Sequence, residues 1–188
     1  MKRIAIFASG SGSNAENIIT YFQNNKKAEV VLVLSNNPNA LVLERATKLG
    51  VKNLVFNKEQ LSDSKWAVEN LKNIDLIVLA GFLWKFPEHL LETYKNKVVN
   101  VHPALLPKYG GKGMYGMHVH KAVVENNEAE SGITIHYVNE YYDEGAVIFQ
   151  AKCAVSPADT PNDVAAKIHE LEMKHFPEVV QQILSKHG

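Results

Sequence analysis

The feature that most constrains the fold is a set of short segments that are apolar at nearly every position. Three of them are "RIAIFAS" (3–9), "EVVLVLS" (29–35) and "IDLIVLAG" (74–81). A strand that is apolar on both sides has to be covered on both faces, which is typical of a parallel sheet between layers of helices. Stretches with the apolar spacing of helices lie between these segments. The alternation predicts an α/β fold.

The apolar spacings typical of strands and of helices also predict the remaining elements. Predicted helices cover residues 14–25, 40–50, 64–72 and 87–95, and shorter strands cover residues 53–56 and 97–101. After a loop at 103–117, two strand-like segments (131–138 and 146–155) are joined by a short acidic turn and predict a C-terminal β-hairpin. A long final helix begins near Thr160, with Pro161 in its first turn. We therefore predict a Rossmann-like, mostly parallel sheet with helices on both faces, a hairpin and a long final helix.

Length, charge and apolar runs limit the class of protein. The 188 residues suffice for one domain and are few for two. Twenty basic residues balance twenty acidic ones, so no overall field attracts the chain to nucleic acid or to an anionic membrane. The apolar run near the amino terminus is too short for a signal peptide, and no run approaches the roughly 18 residues of a membrane span. We expect one domain, as a monomer or homodimer, that binds neither nucleic acid nor membrane.

Potential disulfide and metal ligands are few. Cys153 is the only cysteine, which excludes an internal disulfide bond and fits a reducing, cytoplasmic location. It lies in a strand-like segment, where an inert, half-buried thiol is expected rather than a nucleophile. His118 and His120 have a spacing compatible with metal ligation, but no third ligand follows in pattern. We therefore expect them to open a helix and predict no metal.

A glycine-rich segment, "FASGSGSNAENI", joins the first strand to the first helix. Glycines permit a sharp turn, and the free N–H groups at a helix start favour an anion. Gly10, Gly12 and Ala15 fit a dinucleotide-binding pattern, but the second strand ends in "VLSNNPNA" and lacks the acidic residue that would bind the ribose. A triphosphate loop is excluded because no Gly-Lys-Ser/Thr follows. The remaining interpretation of this segment is a site for a terminal phosphate. The alternative is a tight turn that binds no ligand.

Two polar side chains interrupt the strand "VVNVHP" near residue 100. Asn100 and His102 share one face by the two-residue period, at the sheet edge where parallel-sheet proteins bind ligands. An amide NH2 group and an imidazole can both donate to the oxyanion that forms when an amine attacks a carbonyl, and an imidazole also transfers protons near neutral pH. Asp143 or Glu144, in the hairpin turn, is the expected counter-charge. The alternatives are a polar strand end bonded to loop backbone and a solvated acidic turn.

Several motifs in a fixed order carry a resemblance. "NVHPALLPKY", with "LAGF" before it and Asp-x-Gly at 143–145 after it, resembles the folate-dependent formyltransferase family, in the branch whose acceptor is glycinamide ribonucleotide. The match runs from "SGSGSN" to "HELE", and the ordered combination is specific. The resemblance implies transfer of the formyl group of 10-formyltetrahydrofolate, a co-substrate, to the amino group of glycinamide ribonucleotide in de novo purine biosynthesis. It also implies a phosphate-binding half (1–101) and a catalytic and folate-binding half (102–188).

The resemblance further implies which residues form the site. The catalytic group is implied to be Asn100, His102 and Asp143. The ribonucleotide is implied to bind through its phosphate at Gly12, Ser13 and Asn14, and through its ribose at Glu172. The folate is implied to bind to Leu83, Trp84, Lys85, Phe86, Asn100 and Tyr141. His136 matches a histidine of the family and is expected to lie close to the catalytic group.

The sequence departs from the family pattern at three places. Ala104 stands where the family usually has serine, and Lys85 stands where arginine is common, so a planar guanidinium contact is lost. The segment "GGKGMYGMH" (110–118) is longer than in members with a compact loop. Its Lys112 matches no known role.

Other functions fit parts of the same pattern. Methionyl-tRNA formyltransferase and formyltetrahydrofolate hydrolase share the catalytic core, but each carries an additional domain. We expect neither, because the chain ends about where the core does and has no basic surplus for binding a polyanion. A non-catalytic sensor of sugar phosphates could use the same glycine-rich segment, and only an assay of formyl transfer separates it from an enzyme.

Overall fold

Seven strands form one mixed sheet in the computed structural model, which describes residues 1–186. The strands are β1 (Lys2–Phe7), β2 (Ala28–Ser35), β3 (Asn53–Val55), β4 (Leu76–Leu79), β5 (Val98–His102), β6 (Glu130–Tyr137) and β7 (Val147–Ala154). Their order in the sheet is β3-β2-β1-β4-β5-β6-β7. The first five are parallel to one another, so the prediction of a mostly parallel sheet is confirmed.

Seven helices within residues 1–186 accompany the sheet. They are α1 (Ser13–Asn25), α2 (Leu41–Lys48), α3 (Lys58–Ser62), α4 (Ser64–Asn70), α5 (Glu88–Thr93), α6 (Met117–Glu125) and α7 (Pro161–Lys186). All except α3 were predicted, and α6 begins beside His118 as expected. Helix α3 has only five residues and starts with a capping box between Asn57 and Gln60, so it is too short to show a helical period. None of these helices combines the length and apolarity that crossing a bilayer requires.

Alternate residues of the central strand β1 face opposite layers of the core. Ile4 and Ile6 belong to one buried cluster, which includes residues of α1 and α7. Ala5 and Phe7 belong to a second cluster, which includes residues of α4 and α5. Both faces of the sheet are therefore covered, which explains why the strand segments are apolar throughout.

The hairpin β6–β7 extends the parallel sheet with two antiparallel strands. Strand β6 pairs with both β5 and β7, and its register places His136 opposite Asn100 and Thr134 opposite His102. The predicted appended hairpin is confirmed. Because of this register, a side chain of β6 stands beside each polar side chain at the end of β5.

Helix α7 continues through a proline. Pro177 has no N–H, so it cannot donate to the Met173 carbonyl four residues earlier. The side-chain amide of Asn17, in α1, donates to that carbonyl at 2.8 Å instead. The long final helix thus keeps its hydrogen bonding past the proline and packs along α1, which brings its middle turns close to the glycine-rich segment.

Candidate active site

A cleft of about 840 Å³ opens at the carboxyl edge of the parallel strands. It lies between the loops that follow β1 and β4, the end of β5, the hairpin turn and α7. The residues implied by the resemblance all line it: Gly12, Ser13, Asn14, Leu83, Trp84, Lys85, Phe86, Asn100, His102, Tyr141, Asp143 and Glu172. Residues far apart in the sequence therefore meet in one cavity.

The amide of Asn100 is oriented by a neighbouring histidine. His136 Nδ1 lies 2.9 Å from the Tyr137 carbonyl, which can only accept, so Nδ1 carries a hydrogen. In the neutral ring Nε2 is then an acceptor, and Asn100 Nδ2 donates to it at 3.1 Å. Burial lowers the pKa of His136 and so favours the neutral ring. The second N–H of the Asn100 amide is left for a ligand.

His102 has an oxygen acceptor at each ring nitrogen. Its Nδ1 lies 3.4 Å from Asp143 Oδ1, and its Nε2 donates to the Tyr109 carbonyl at 2.8 Å. The ring is 3% exposed, so both contacts are shielded from water. Asp143 Oδ1 is also 3.7 Å from His136 Nε2. The carboxylate therefore pairs with His102, because the neutral His136 ring has no hydrogen on Nε2 to donate.

The backbone of the hairpin turn explains why Asp143, rather than Glu144, reaches His102. Asp143 has a left-handed conformation with φ of 57°. A Cβ on Gly145 would lie 1.6 Å from the Tyr137 carbonyl oxygen, so only glycine allows the turn to close against β6. The N–H of Gly111 donates to Asp143 Oδ2 at 3.0 Å and fixes the carboxylate. Glu144 is exposed.

The glycine loop (residues 10–13) is packed tightly against α2. Gly12 is the N-cap of α1 with φ of 75°, and a Cβ there would lie 2.4 Å from Val42 Cβ. The Val42 N–H donates to the Gly10 carbonyl at 3.2 Å. Within residues 1–186, no side chain caps the start of α1. Its first N–H groups therefore face the cleft, in an arrangement suited to an anion.

Asn14 and Glu172 pair across the floor of the cleft. Asn14 Nδ2 donates to Glu172 Oε2 at 2.8 Å, whereas Asn14 Oδ1 is buried without a partner among the described residues. The Glu172 side chain is 12% exposed. Burial raises its pKa to about 7, and the bond from Asn14 opposes this shift. A buried carboxyl group next to an unpaired amide oxygen suits a ligand with several hydroxyl groups.

An apolar wall closes the other side of the cleft at residues 83–86. Phe86 is buried and packs edge-on against Phe7, with ring centroids 5.3 Å apart. Leu83 and Tyr141 are 52% and 61% exposed at the mouth of the cleft. Lys85 lies 3.8 Å from Glu88. The exposed side chains leave apolar area for a flat ring system of a ligand.

Amide and imidazole groups that converge beside a phosphate-sized cradle suit acyl transfer to an amine, and the family comparison agrees with this chemistry. The model for the family described as formyl transferase matches residues 2–180. The chain belongs to the formyl transferase family. Transfer of a formyl group brings a donor and an acceptor together, and the cleft has the glycine loop on one side and the apolar wall at 83–86 on the other.

Individual family members resemble the chain over nearly all of its length. It is 39% identical over 97% of its residues to the chloroplastic phosphoribosylglycinamide formyltransferase of Arabidopsis thaliana, but spans 65% of that protein, less than two thirds. The identity to phosphoribosylglycinamide formyltransferase of Bacillus subtilis is 35%, over 98% of this chain and 95% of the relative. The crystal structure of phosphoribosylglycinamide formyltransferase from Bacillus halodurans superposes with a TM-score of 0.87 at 34% identity, covering 100% and 97% of the two chains.

Three contributors to the cleft were not predicted from the sequence. The Tyr109 carbonyl and the Gly111 N–H belong to the backbone of the loop before α6. The role of a backbone group cannot be inferred from the type of residue that carries it. The hydroxyl of Ser9 contacts the loops after β2 and β4. Ser9 directly precedes the glycine loop, and a lone serine beside glycines gives no signal of these long-range contacts. Lys112 lines the cleft, and nothing in the structure assigns it a role. Within residues 1–186 no group of three or more His, Cys, Asp or Glu residues could hold a metal ion.

Proposed function

We propose that the chain is a phosphoribosylglycinamide formyltransferase. It transfers the formyl group of 10-formyltetrahydrofolate to the amino group of glycinamide ribonucleotide, a step of de novo purine biosynthesis. The observation that carries the proposal is the convergence of Asn100, His102 and Asp143 within one cleft, beside the glycine loop. The names of the Arabidopsis and Bacillus relatives support the choice of acceptor.

The ribonucleotide binds at the glycine loop and the floor of the cleft. Its phosphate accepts hydrogen bonds from the first N–H groups of α1, at Gly12, Ser13 and Asn14, where the helix dipole favours negative charge. Its ribose hydroxyls bond to Glu172 and to the unpaired oxygen of Asn14. Those hydroxyls can donate to the amide oxygen and to an ionised carboxylate. This placement directs the glycyl amine towards Asn100 and His102.

The folate binds between the two walls at the mouth of the cleft. Leu83, Trp84, Lys85 and Phe86 form one wall, and Tyr141 stands on the other. The apolar side chains bury the ring system of the folate, and Asn100 reaches its formyl oxygen. Apolar burial supplies the affinity, whereas the few polar groups fix the orientation of the formyl group.

In the proposed reaction, the glycyl amine attacks the formyl carbon directly. The free N–H of Asn100 donates to the oxygen that becomes negative in the tetrahedral intermediate. A proton leaves the incoming amine, and the folate N10 gains a proton as its bond to carbon breaks. Asp143 passes the proton through water. The products are the formylated ribonucleotide and tetrahydrofolate, with no covalent enzyme intermediate and no metal in the proposed steps.

His102 is the second oxyanion donor in this proposal. Its Nε2–H is bonded to the Tyr109 carbonyl in the structure, so donation to substrate requires that the formyl oxygen replace this carbonyl. Asp143 lies beside Nδ1 and compensates the positive charge of the protonated ring. The mechanism therefore includes a small displacement of the loop that carries Tyr109, or of the ring itself, when substrate binds.

A spectroscopic assay tests the proposed function against its rivals. The protein is mixed with glycinamide ribonucleotide and 10-formyltetrahydrofolate, and deformylation of the folate is followed by absorbance. A transformylase produces the signal only when both compounds are present. A signal without the ribonucleotide would indicate a hydrolase, and no signal under any condition would indicate a sugar-phosphate sensor. Either of these two results would contradict the proposal.

The proposed enzyme is a cytoplasmic monomer or homodimer that acts on small molecules. The single cysteine favours the cytoplasm, and the balanced charge favours small molecules as the partners of the protein. A monomer or a homodimer is compatible with a cleft whose proposed residues all come from one chain. Size-exclusion chromatography with light scattering distinguishes the two assemblies.

A further inference from the structure

The side chain of Ser9 connects loops that leave the carboxyl edge of three strands. Its hydroxyl accepts a hydrogen bond from the Leu83 N–H at 3.0 Å, after β4, and donates one to Asn36 Oδ1 at 2.7 Å, after β2. The N–H of Ser9 also donates to the Gly81 carbonyl at 3.0 Å. Ser9 is 8% exposed, so water does not readily replace these partners.

The polarity of the two hydroxyl contacts is determined by their donors. A backbone N–H can only donate, so the Ser9 oxygen accepts from Leu83, and its single hydrogen goes to Asn36. An alanine at this position would leave the Leu83 N–H without its partner. The Ser9 N–H would still bond to Gly81, because that contact involves only backbone atoms. The hydroxyl thus makes a connection that can be removed separately.

We propose that Ser9 is a positioning residue that holds the 83–86 wall in place relative to the glycine loop. This inference rests on the proposed function, because those two segments are the ones assigned to the folate and to the ribonucleotide. Ser9 directly precedes the glycine loop, and Leu83 is the first residue of the wall. The hydroxyl therefore links the two binding segments without lying between the reacting groups.

The reaction itself explains why such a link matters. Direct transfer requires that the amine and the formyl carbon approach within about 3–3.5 Å of each other, and a displacement of about 1 Å can lower a rate by about 100-fold. A wall that shifts at Leu83 carries the formyl carbon with it. Loss of the Ser9 hydroxyl should therefore reduce turnover more than it weakens the binding of either substrate alone.

Ser9→Ala, Ser9→Thr and the control Ser131→Ala test this role. Ser131 is also a buried serine, and its hydroxyl has no partner within residues 1–186. We expect Ser9→Ala to lower kcat about tenfold or more, with less than a twofold change in the Kd of the ribonucleotide measured alone. Ser9→Thr keeps the hydroxyl and should recover kcat to within about threefold of wild type. Ser131→Ala should match wild type.

Hydrogen exchange at Leu83 gives a readout that does not depend on activity. The Leu83 amide should be protected in the wild-type protein and should exchange at least about tenfold faster in Ser9→Ala. If Ser9→Ala does not fold, Ser9→Cys replaces it with the same expectations, because a thiol is a much weaker donor and acceptor.

The outcomes separate this proposal from the proposed function. A folded Ser9→Ala protein with kcat within twofold of wild type would overturn the role of Ser9, as would an unprotected Leu83 amide in the wild type or a folded Ser9→Thr protein as slow as Ser9→Ala. A wild-type protein that transfers no formyl group would contradict the proposed function instead, whatever the exchange rate at Leu83.

Discussion

The amide of Asn100 is the group whose loss should affect catalysis most directly. Loss of one oxyanion donor typically lowers turnover by about 10²- to 10³-fold, so Asn100→Ala should lower kcat within that range. The Kd of the ribonucleotide should change much less, because the glycine loop and Glu172 are untouched. Steady-state kinetics and calorimetric titration measure the two quantities. A folded variant with full turnover would rule out the proposed donor role.

His136 should influence turnover through the orientation of Asn100. His136→Phe removes the acceptor at 3.1 Å, and loss of a hydrogen bond worth about 1 kcal/mol corresponds to a decrease of about fivefold in kcat. His136→Gln offers an amide oxygen in place of Nε2 and should retain more activity than His136→Phe. Equal activity of the two variants at neutral pH would contradict this orienting role.

The pH dependence of turnover gives a second test of His136. Burial lowers its pKa and so does the neighbouring His102, whereas the Tyr137 carbonyl and Asp143 oppose that shift. As pH falls below about 6.5, the ordinary value, and reaches the lowered pKa, Nε2 gains a proton and can no longer accept from Asn100. Wild-type kcat should therefore decline in acid more steeply than that of His136→Gln, as pH–rate profiles of both proteins would show. Parallel profiles would contradict the assignment.

Glu172 should make the protein less stable as the pH rises. Its pKa is about 7 in the folded protein and about 4.3 in the unfolded chain. The native state therefore binds the proton more tightly, and this contribution to stability is lost as the pH rises from about 4.3 to about 7. The shift corresponds to about 4 kcal/mol. Between pH 5 and 8, Glu172→Gln should therefore gain stability relative to wild type, although it binds the ribonucleotide more weakly.

Urea unfolding at several pH values measures this difference. His120 and His136, whose pKa values are lowered by burial, make stability rise over the lower part of the range, but they do so equally in both proteins. Glu170→Gln, on the same helix at an exposed position, is the matched control and should behave as wild type. A constant difference between Glu172→Gln and wild type across the pH range would argue against a protonated Glu172.

At the scale of the elements, the junction of the glycine loop, α1 and α2 should tolerate no side chain at Gly12. A Cβ there would lie 2.4 Å from Val42 Cβ and 2.7 Å from Val42 Cα, so α2 must shift, and the positive φ adds strain. Gly12→Ala should cost about 2 kcal/mol or more of stability. Gly10→Ala, with nothing within 4 Å of its Cβ, should cost little. Chemical denaturation compares them, and equal losses would contradict the packing argument.

An element or a site residue can be predicted from the sequence when a local pattern of residues determines it. Strands β1, β2 and β4 follow from apolar runs, and the two-residue period places Asn100 and His102 on one side of β5. The choice between Asp143 and Glu144 depended on a left-handed residue and on Gly145 closing against β6, which no local pattern reveals. The Tyr109 carbonyl and the Ser9 hydroxyl act through contacts between distant loops, and these exist only once the sheet has assembled.

At the scale of the whole molecule, the predicted phosphate-binding and catalytic halves share one sheet. The boundary near residue 101 falls within β5, which pairs with β4 on one side and β6 on the other. One of the two buried clusters also contains residues of both α1 and α7. Separating the two halves would therefore expose the edges of β4, β5 and β6 and the apolar side chains of the shared cluster. We expect the halves to unfold together rather than as independent domains.

Calorimetry and two fragments test this cooperativity. The intact chain should show one thermal transition with equal calorimetric and van't Hoff enthalpies, and fragments 1–101 and 102–188 should each fail to give a cooperative transition. In the intact protein, saturating ribonucleotide at about 100 times its Kd should add about 2.7 kcal/mol, which raises Tm by about 5–11 °C for a chain of this size. Because the fold is one unit, the transition should shift as a whole, and a split into two peaks would show that the halves are separate domains.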